Sequence, residues 1–128
     1  MRLIGLTGRA CAGKDSVAEI LARHHGFSRM SFAEPIKRGL NTMLGIPMSV
    51  LEDRAAKEKP IDWLGHSPRY LMQTLGTEWA RHLIHEDIWI RVAAQLLHQH
   101  RRLGGPVCIT DVRFSNEAAW VRGQGGEV

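Results

Sequence analysis

The segment Gly8-Arg9-Ala10-Cys11-Ala12-Gly13-Lys14-Asp15-Ser16 concentrates residue types that bind phosphate. Its spacing is G-x-x-x-x-G-K. Gly8 and Gly13 can take backbone conformations closed to other residues, so successive N–H groups can turn inward onto phosphate oxygens. A helix beginning at Lys14 adds free N–H donors and the partial positive charge of its N-terminus. The Lys14 ammonium can reach β- and γ-phosphates. Directly after such a lysine a Ser or Thr usually serves Mg2+. Here Asp15 takes that place and Ser16 follows, so the Ser16 hydroxyl is the candidate for phosphate or a metal-bound water. Asp15 beside polyphosphate is repulsive unless Mg2+ or an arginine offsets it, which favours a metal-dependent role.

A second constellation is Asp111 and Arg113. Asp111 ends the apolar run Val107-Cys108-Ile109-Thr110, and ligands of open α/β sheets bind beyond the carboxyl ends of strands. An acid there can serve as a magnesium or base carboxylate, and Arg113 could reach the same phosphates. Taken alone, Asp111 reads equally as a loop-capping aspartate; its pairing with the glycine loop favours the functional reading.

These residues need a sheet and helices to hold them. Leu3-Ile4-Gly5-Leu6-Thr7 is short and apolar and reads as a buried strand. Lys14 to His24 reads as a helix with Val17, Ile20, Leu21 and His24 on its inner face, ended by Gly26. Arg29–Phe32 is a candidate strand, and Pro35–Leu44 a helix with Ile36, Leu40 and Met43 on one face. The charged run Glu52–Lys59 reads as an exposed helix. Ser67-Pro68 suits the N-cap and first turn of a helix that Gly76 stops near Leu75. Thr77-Glu78 can start another. Asp87 caps a longer helix to about His100, with Trp89, Val92, Ala93 and Leu96 inward. Gly104-Gly105-Pro106 turns into the strand Val107–Thr110. Ser115 caps a helix to about Arg122, and Glu127-Val128 reads as the first step of a further strand. Strands separated by helices imply crossover connections and a mostly parallel sheet, an α/β fold. The expected organisation is one domain over 1–128, with 35–100 a mainly helical region.

The chain has 128 residues, 44% hydrophobic and 23% charged, as expected for one globular domain. No apolar run reaches the ~18–20 residues of a membrane helix. The N-terminus is too short in its apolar part for a signal peptide, and Arg9 interrupts it. Two cysteines, Cys11 and Cys108, build no disulfide framework and fit a reducing cytoplasm. Seventeen Lys+Arg against thirteen Asp+Glu give a net charge of +4, which favours an anionic partner without selecting one. His82, His85 and Glu86 lack the spacing of known zinc motifs. The basic end His98–Arg102 complements a helix dipole. Trp79, Trp89 and Trp120 read as core; Trp63 could line a pocket.

Four segments together resemble the bacteriophage-type deoxynucleoside monophosphate kinases, a branch of the P-loop kinases. They are Gly5-Leu6-Thr7-Gly8 to Gly13-Lys14-Asp15-Ser16-Val17-Ala18, Ser31-Phe32-Ala33-Glu34-Pro35-Ile36-Lys37, Arg69 to Glu78 (R-Y-L-M-Q-T-L-G-T-E), and Asp111-Val112-Arg113-Phe114-Ser115-Asn116-Glu117. The resemblance implies a P-loop NTPase-type parallel sheet with a helical acceptor-binding insertion. It implies transfer of the γ-phosphoryl group of ATP to a deoxynucleoside monophosphate, with Mg2+. On it, Gly8, Arg9, Ala12, Gly13, Lys14, Asp15 and Ser16 face the ATP phosphates, Ser16 and Asp111 serve the metal, and Lys14, Asp111 and Arg113 carry the chemistry. Lys37 would meet the acceptor phosphate, with Ile36 beside the nucleoside. Arg69 and Gln73 share a helix face four residues apart and would hold the acceptor phosphate and base, with Thr77 shaping the pocket. Such a protein works in the cytoplasm, a host's if the source is a phage, with neither membrane nor nucleic acid as partner. The chain departs from the family in having Ala10 and Cys11 where further basic residues stand. It also stops where another strand, an arginine-bearing lid and a further strand are expected. The expectation is therefore an incomplete kinase domain whose unpaired sheet edge invites self-association. A dephospho-coenzyme A kinase-like enzyme shares the G-L-T-G opening but not L-G-T-E. A non-catalytic nucleotide- or nucleic-acid-binding module is the alternative of another class.

Overall fold

The computed structural model describes residues 2–8 and 13–128. Along the chain run β1 (Leu3–Gly5), α1 (Lys14–His25), β2 (Ser28–Met30), α2 (Glu34–Leu44), α3 (Met48–Glu52), a 3-10 turn (Ala56–Glu58), α4 (Pro68–Gln73) with a π-helical continuation (Thr74–Ile84), α5 (Ile88–Leu103), β3 (Val107–Ile109) and α6 (Ser115–Gly123). The chain divides into two compact units, one of residues 1–32 with 89–128 and one of residues 33–88. No helix among the described residues is long and apolar enough to cross a membrane.

In the first unit three parallel strands pair in the order β1-β3-β2. Leu3 aligns with Val107 and Gly5 with Ile109, while Ser28 and Met30 align with the same two residues from the other side. β3 is central, and all three of its residues are buried, which is why it reads as an unbroken apolar run. Alternation along the strands sorts the core into two layers. Leu3, Val107 and Ile109 join Met30, Phe32, Ala93, Leu97, Val112 and Val121, so that α5 and α6 cover one face. Cys108 joins Ala18 and Phe27 under α1 on the other, with Ile4, Leu6 and Leu21 packed beside them. Phe32 meets Trp120 edge to face, ring centres 5.9 Å apart. Glu127 forms a parallel bridge to Ile4, giving its carbonyl to Gly5 N at 2.7 Å, so the strand expected at the C-terminus begins there.

Several local expectations change. The inner face of α1 is Ala18 and Leu21, whereas Val17 and Ile20 are exposed and His24 points outward as well. A methyl group lets the helix approach the sheet over Cys108 more closely than a branched side chain would. Met43 is likewise exposed on α2, while Ile36 and Leu40 are buried. Trp79 is exposed rather than core, and only Trp89 and Trp120 pack against the apolar cluster of the sheet.

The charged run does not form one helix. Asp53 is extended after α3, and its carboxylate accepts from Ala56 N at 2.8 Å to start a separate 3-10 turn. Gly76 does not stop a helix. Gly26 and Gly45 end α1 and α2 with φ of +70° and +69°, but Gly76 is buried inside the π-helical continuation with no positive φ. Ser67 does cap α4 as expected, its hydroxyl accepting from Tyr70 N at 3.2 Å. α6 begins at Ser115 itself, because the carboxylate of Glu117 reaches back to the preceding amides and removes the need for a serine cap.

Candidate functional site

The sheet unit brings the end of β1, where the glycine segment begins, and Asp111 to the same edge. β1 leads into the glycine loop at its carboxyl end. Beyond the strand, Leu6 N donates to the Ile109 carbonyl at 2.8 Å, and Val112 N donates to the Leu6 carbonyl at 3.0 Å. On the other side of β3, Thr110 N donates to the Met30 carbonyl at 3.0 Å. Asp111 therefore leaves the central strand between the exits of β1 and β2. Its Oδ1 accepts from Phe32 N at 2.8 Å, across 79 residues of sequence, and ties the exit of β3 to that of β2. Asp111 is half-buried, and Arg113 is exposed two residues on.

The loop glycines have the backbone that the spacing requires. Gly8 has φ of 146° and Gly13 φ of 91°, values that side chains other than glycine's strain to reach. Gly13 precedes α1 without a side-chain cap, and the intrahelical ladder opens with Val17 N to the Gly13 carbonyl at 3.0 Å. The N–H groups of Lys14, Asp15 and Ser16 thus fall in the first turn, where a helix offers donors to an anion. Lys14 is half-buried, Asp15 and Ser16 are exposed. The expected contacts of Arg9 and Ala12, and the departures at Ala10 and Cys11, lie outside the described residues.

The turn that carries Arg113 is held by a residue the sequence reading gave no role. Glu117 is 6% exposed, the one charged or polar residue among the buried described residues. Its Oε1 accepts from Arg113 N at 2.9 Å and from Phe114 N at 3.0 Å. A glutamate three residues after the helix N-cap is the signal that could have found it.

The other candidates stand in the helical unit. Ile36 is buried on α2, and Lys37 beside it is half-buried. Arg69 and Gln73 are exposed at the two ends of α4, and Arg69 makes an ion pair with Glu58. Tyr70, next to Arg69, stacks on His66 with ring centres 4.3 Å apart and planes 13° apart. Thr77 is half-buried in the π-helical continuation, and Trp63 is exposed. The competing Glu58 carboxylate and the His66–Tyr70 stack had no sequence signal.

Comparison with known proteins bears directly on this arrangement. Over 138 aligned positions, 98% of the chain and 71% of the relative, it is 32% identical to a protein of Acanthamoeba polyphaga mimivirus named "Putative deoxynucleotide monophosphate kinase". This chain belongs to the deoxynucleoside monophosphate kinase family. A further relative, the "Deoxynucleoside-5'-monophosphate kinase" of Escherichia phage T5, is 26% identical over 182 aligned positions, 94% of this chain and 71% of that protein. No family model matches the chain.

For a member of the deoxynucleoside monophosphate kinase family, the donor set suits magnesium. Mg2+ prefers oxygen ligands, keeps several waters and arrives bound to nucleotide phosphates, so one or two protein oxygens suffice. Ser16 offers a hydroxyl and Asp111 a carboxylate. Among the described residues no group of three or more His, Cys, Asp or Glu could hold a metal without such phosphates. Cys108, buried beneath α1, is a thiol of a different kind: burial pushes its pKa up, and the charge of Arg29 pulls it back only in part.

Proposed function

We propose that this chain transfers the γ-phosphoryl group of ATP to a deoxynucleoside monophosphate, giving ADP and the deoxynucleoside diphosphate. The observation that carries the reading is the meeting of two features at one sheet edge in a chain of this family. The positive-φ Gly8 and Gly13 stand between β1 and α1, and Asp111 leaves the central strand at the same edge, bonded to Phe32 N beyond β2.

In the reaction an oxygen of the acceptor phosphate attacks the γ-phosphorus, and the bond to the β–γ bridging oxygen breaks towards ADP. Such transfer depends on positioning and on stabilising spread negative charge. The first-turn amides of α1 bind the phosphates, and the Lys14 ammonium offsets their charge. Arg113 adds a second positive group on the turn after β3. The Ser16 hydroxyl and Asp111 carboxylate are the groups that would hold Mg2+, which would supply charge neutralisation at the phosphates. On the acceptor side, Lys37 and Arg69 bind the monophosphate, Gln73 the base, and Ile36 and Thr77 shape the nucleoside pocket. Arg69 must exchange the Glu58 carboxylate for the acceptor phosphate, an exchange of one anion for another at an exposed position that costs little.

The test is ADP release from ATP and Mg2+ with each of the four deoxynucleoside monophosphates. Turnover of at least one is expected, reduced on the order of 10²-fold or more by Lys14→Ala. ATP binding without turnover of any acceptor would replace the kinase by a nucleotide-binding module. Salt-sensitive DNA binding without nucleotide affinity would overturn both.

A further inference from the structure

The buried carboxylate of Glu117 takes two consecutive amides on a single oxygen, and both belong to the turn that joins Asp111 to α6. The turn is otherwise anchored upstream. Thr110 N and Val112 N reach the carbonyls of Met30 and Leu6, and Asp111 accepts from Phe32 N. Past Val112 the next two amides turn to Glu117. The direction in which the chain leaves, and with it the place from which the Arg113 side chain starts, is set by the convergence of Arg113 N and Phe114 N on Glu117 Oε1. A carboxylate oxygen accepts charge-assisted bonds from two donors, and in the first turn of α6 its charge also suits the helix dipole.

We infer that Glu117 is a positioning residue for the phosphoryl transfer: it aims Arg113 at the phosphates without touching them. The inference rests on the functional reading above. What the role requires is an acceptor oxygen at this site, not a negative charge. The amide oxygen of glutamine has two lone pairs and can take both N–H groups. Glu117→Gln therefore keeps the turn and the rate. Glu117→Ala releases both amides and lets Arg113 drift. Misplacement by about 1 Å of a group that acts on the transition state lowers the rate about 10²-fold. The loss falls on kcat with the KM for ATP little changed, since the interaction is made in the transition state.

The deciding experiment is a cycle of Arg113→Ala, Glu117→Ala and the double variant, with Glu117→Gln alongside. Each is assayed for kcat and KM in ADP release and for fold by circular dichroism and Tm. The expected result is that Glu117→Ala has no further effect on kcat once Arg113 is alanine, and that Glu117→Gln matches the wild type. Independent, multiplying losses would overturn the inference, as would an unchanged kcat in a folded Glu117→Ala. Should Glu117→Ala fail to fold, Glu117→Gln decides: a folded glutamine variant as slow as Arg113→Ala shows that the charge matters and sinks the positioning role. A wild-type chain that turns over no acceptor overturns the functional reading, and this inference with it. An active wild type with an additive cycle overturns the inference alone.

Discussion

Replacing Gly5 by alanine inserts one methyl group where the sheet meets α6. A Cβ at Gly5 would lie 2.9 Å from Val112 Cγ2 and 3.4 Å and 3.5 Å from the two Val121 methyls. Carbon pairs rest at about 3.5–4.0 Å, so roughly 0.6 Å must be found at the first contact. Neither neighbour yields easily. Val112 is 2% exposed and Val121 0%, both are stiff at χ1, and the Val112 amide is bonded to the Leu6 carbonyl at 3.0 Å. Overpacking of this kind costs about 1–3 kcal/mol. Against it, alanine restricts the unfolded chain and returns about 0.4–1 kcal/mol. The net expectation is a loss of about 1–2 kcal/mol, or about 3–10 °C in Tm for a chain of this size. Thermal unfolding followed by circular dichroism measures it. A second variant identifies the cause: Val112→Ala destabilises by leaving a cavity, but in the double variant the two changes relieve each other. The double loss should fall short of the sum by about 0.5–3 kcal/mol. A Gly5→Ala protein as stable as the wild type, or strictly additive losses, would refute the close approach of Gly5 and Val112.

Asp111 can be divided into its two duties. Asp111→Asn keeps an oxygen for Phe32 N and should hold Tm while slowing phosphoryl transfer, whereas Asp111→Ala should also lose about 1–3 kcal/mol of stability. An asparagine variant with the full rate would remove the carboxylate from the chemistry. Cys108 adds a pH dependence on the alkaline side. Its folded-state pKa lies above the ordinary 9.0, so near and above that pH the folded chain holds a proton that the unfolded chain has lost. Its contribution to stability is complete below about pH 9 and declines as pH rises towards the folded value. The fall in Tm as pH rises above about 9 should therefore be shallower in Cys108→Ala than in the wild type; parallel slopes would count against the raised pKa.

Much of this chain is legible without coordinates. The spacing of Gly8, Gly13 and Lys14 demands left-handed glycines before a helix, and the glycines have them. Val107-Cys108-Ile109-Thr110 reads as a strongly apolar strand, and Val107–Ile109 is the central one, buried at all three residues. Ser67 before Pro68 announces a cap that forms. Each of these rests on a preference acting within a few residues. The inner face of α1 is not legible in the sequence, because Val17 and Ile20 fit a helical stripe as well as Ala18 and Leu21 do, and only packing over Cys108 selects between them. The role of Gly76 is equally ambiguous in sequence, because the same missing Cβ serves to end one helix and to lie buried inside another.

The division has one physical origin. Dihedral preferences, caps and turn chemistry are local energies, so the order of amino acids determined the positive φ of Gly8 and Gly13, the alternation of strands and helices, and an acid at the end of an apolar strand. Burial and the pairing of polar groups depend on neighbours brought in from far along the chain. Tertiary structure alone decided that Asp111 accepts from an amide 79 residues away and that α1 shows the sheet its alanine. The same packing holds the Glu117 carboxylate buried, where its two bonds to the turn are shielded from water.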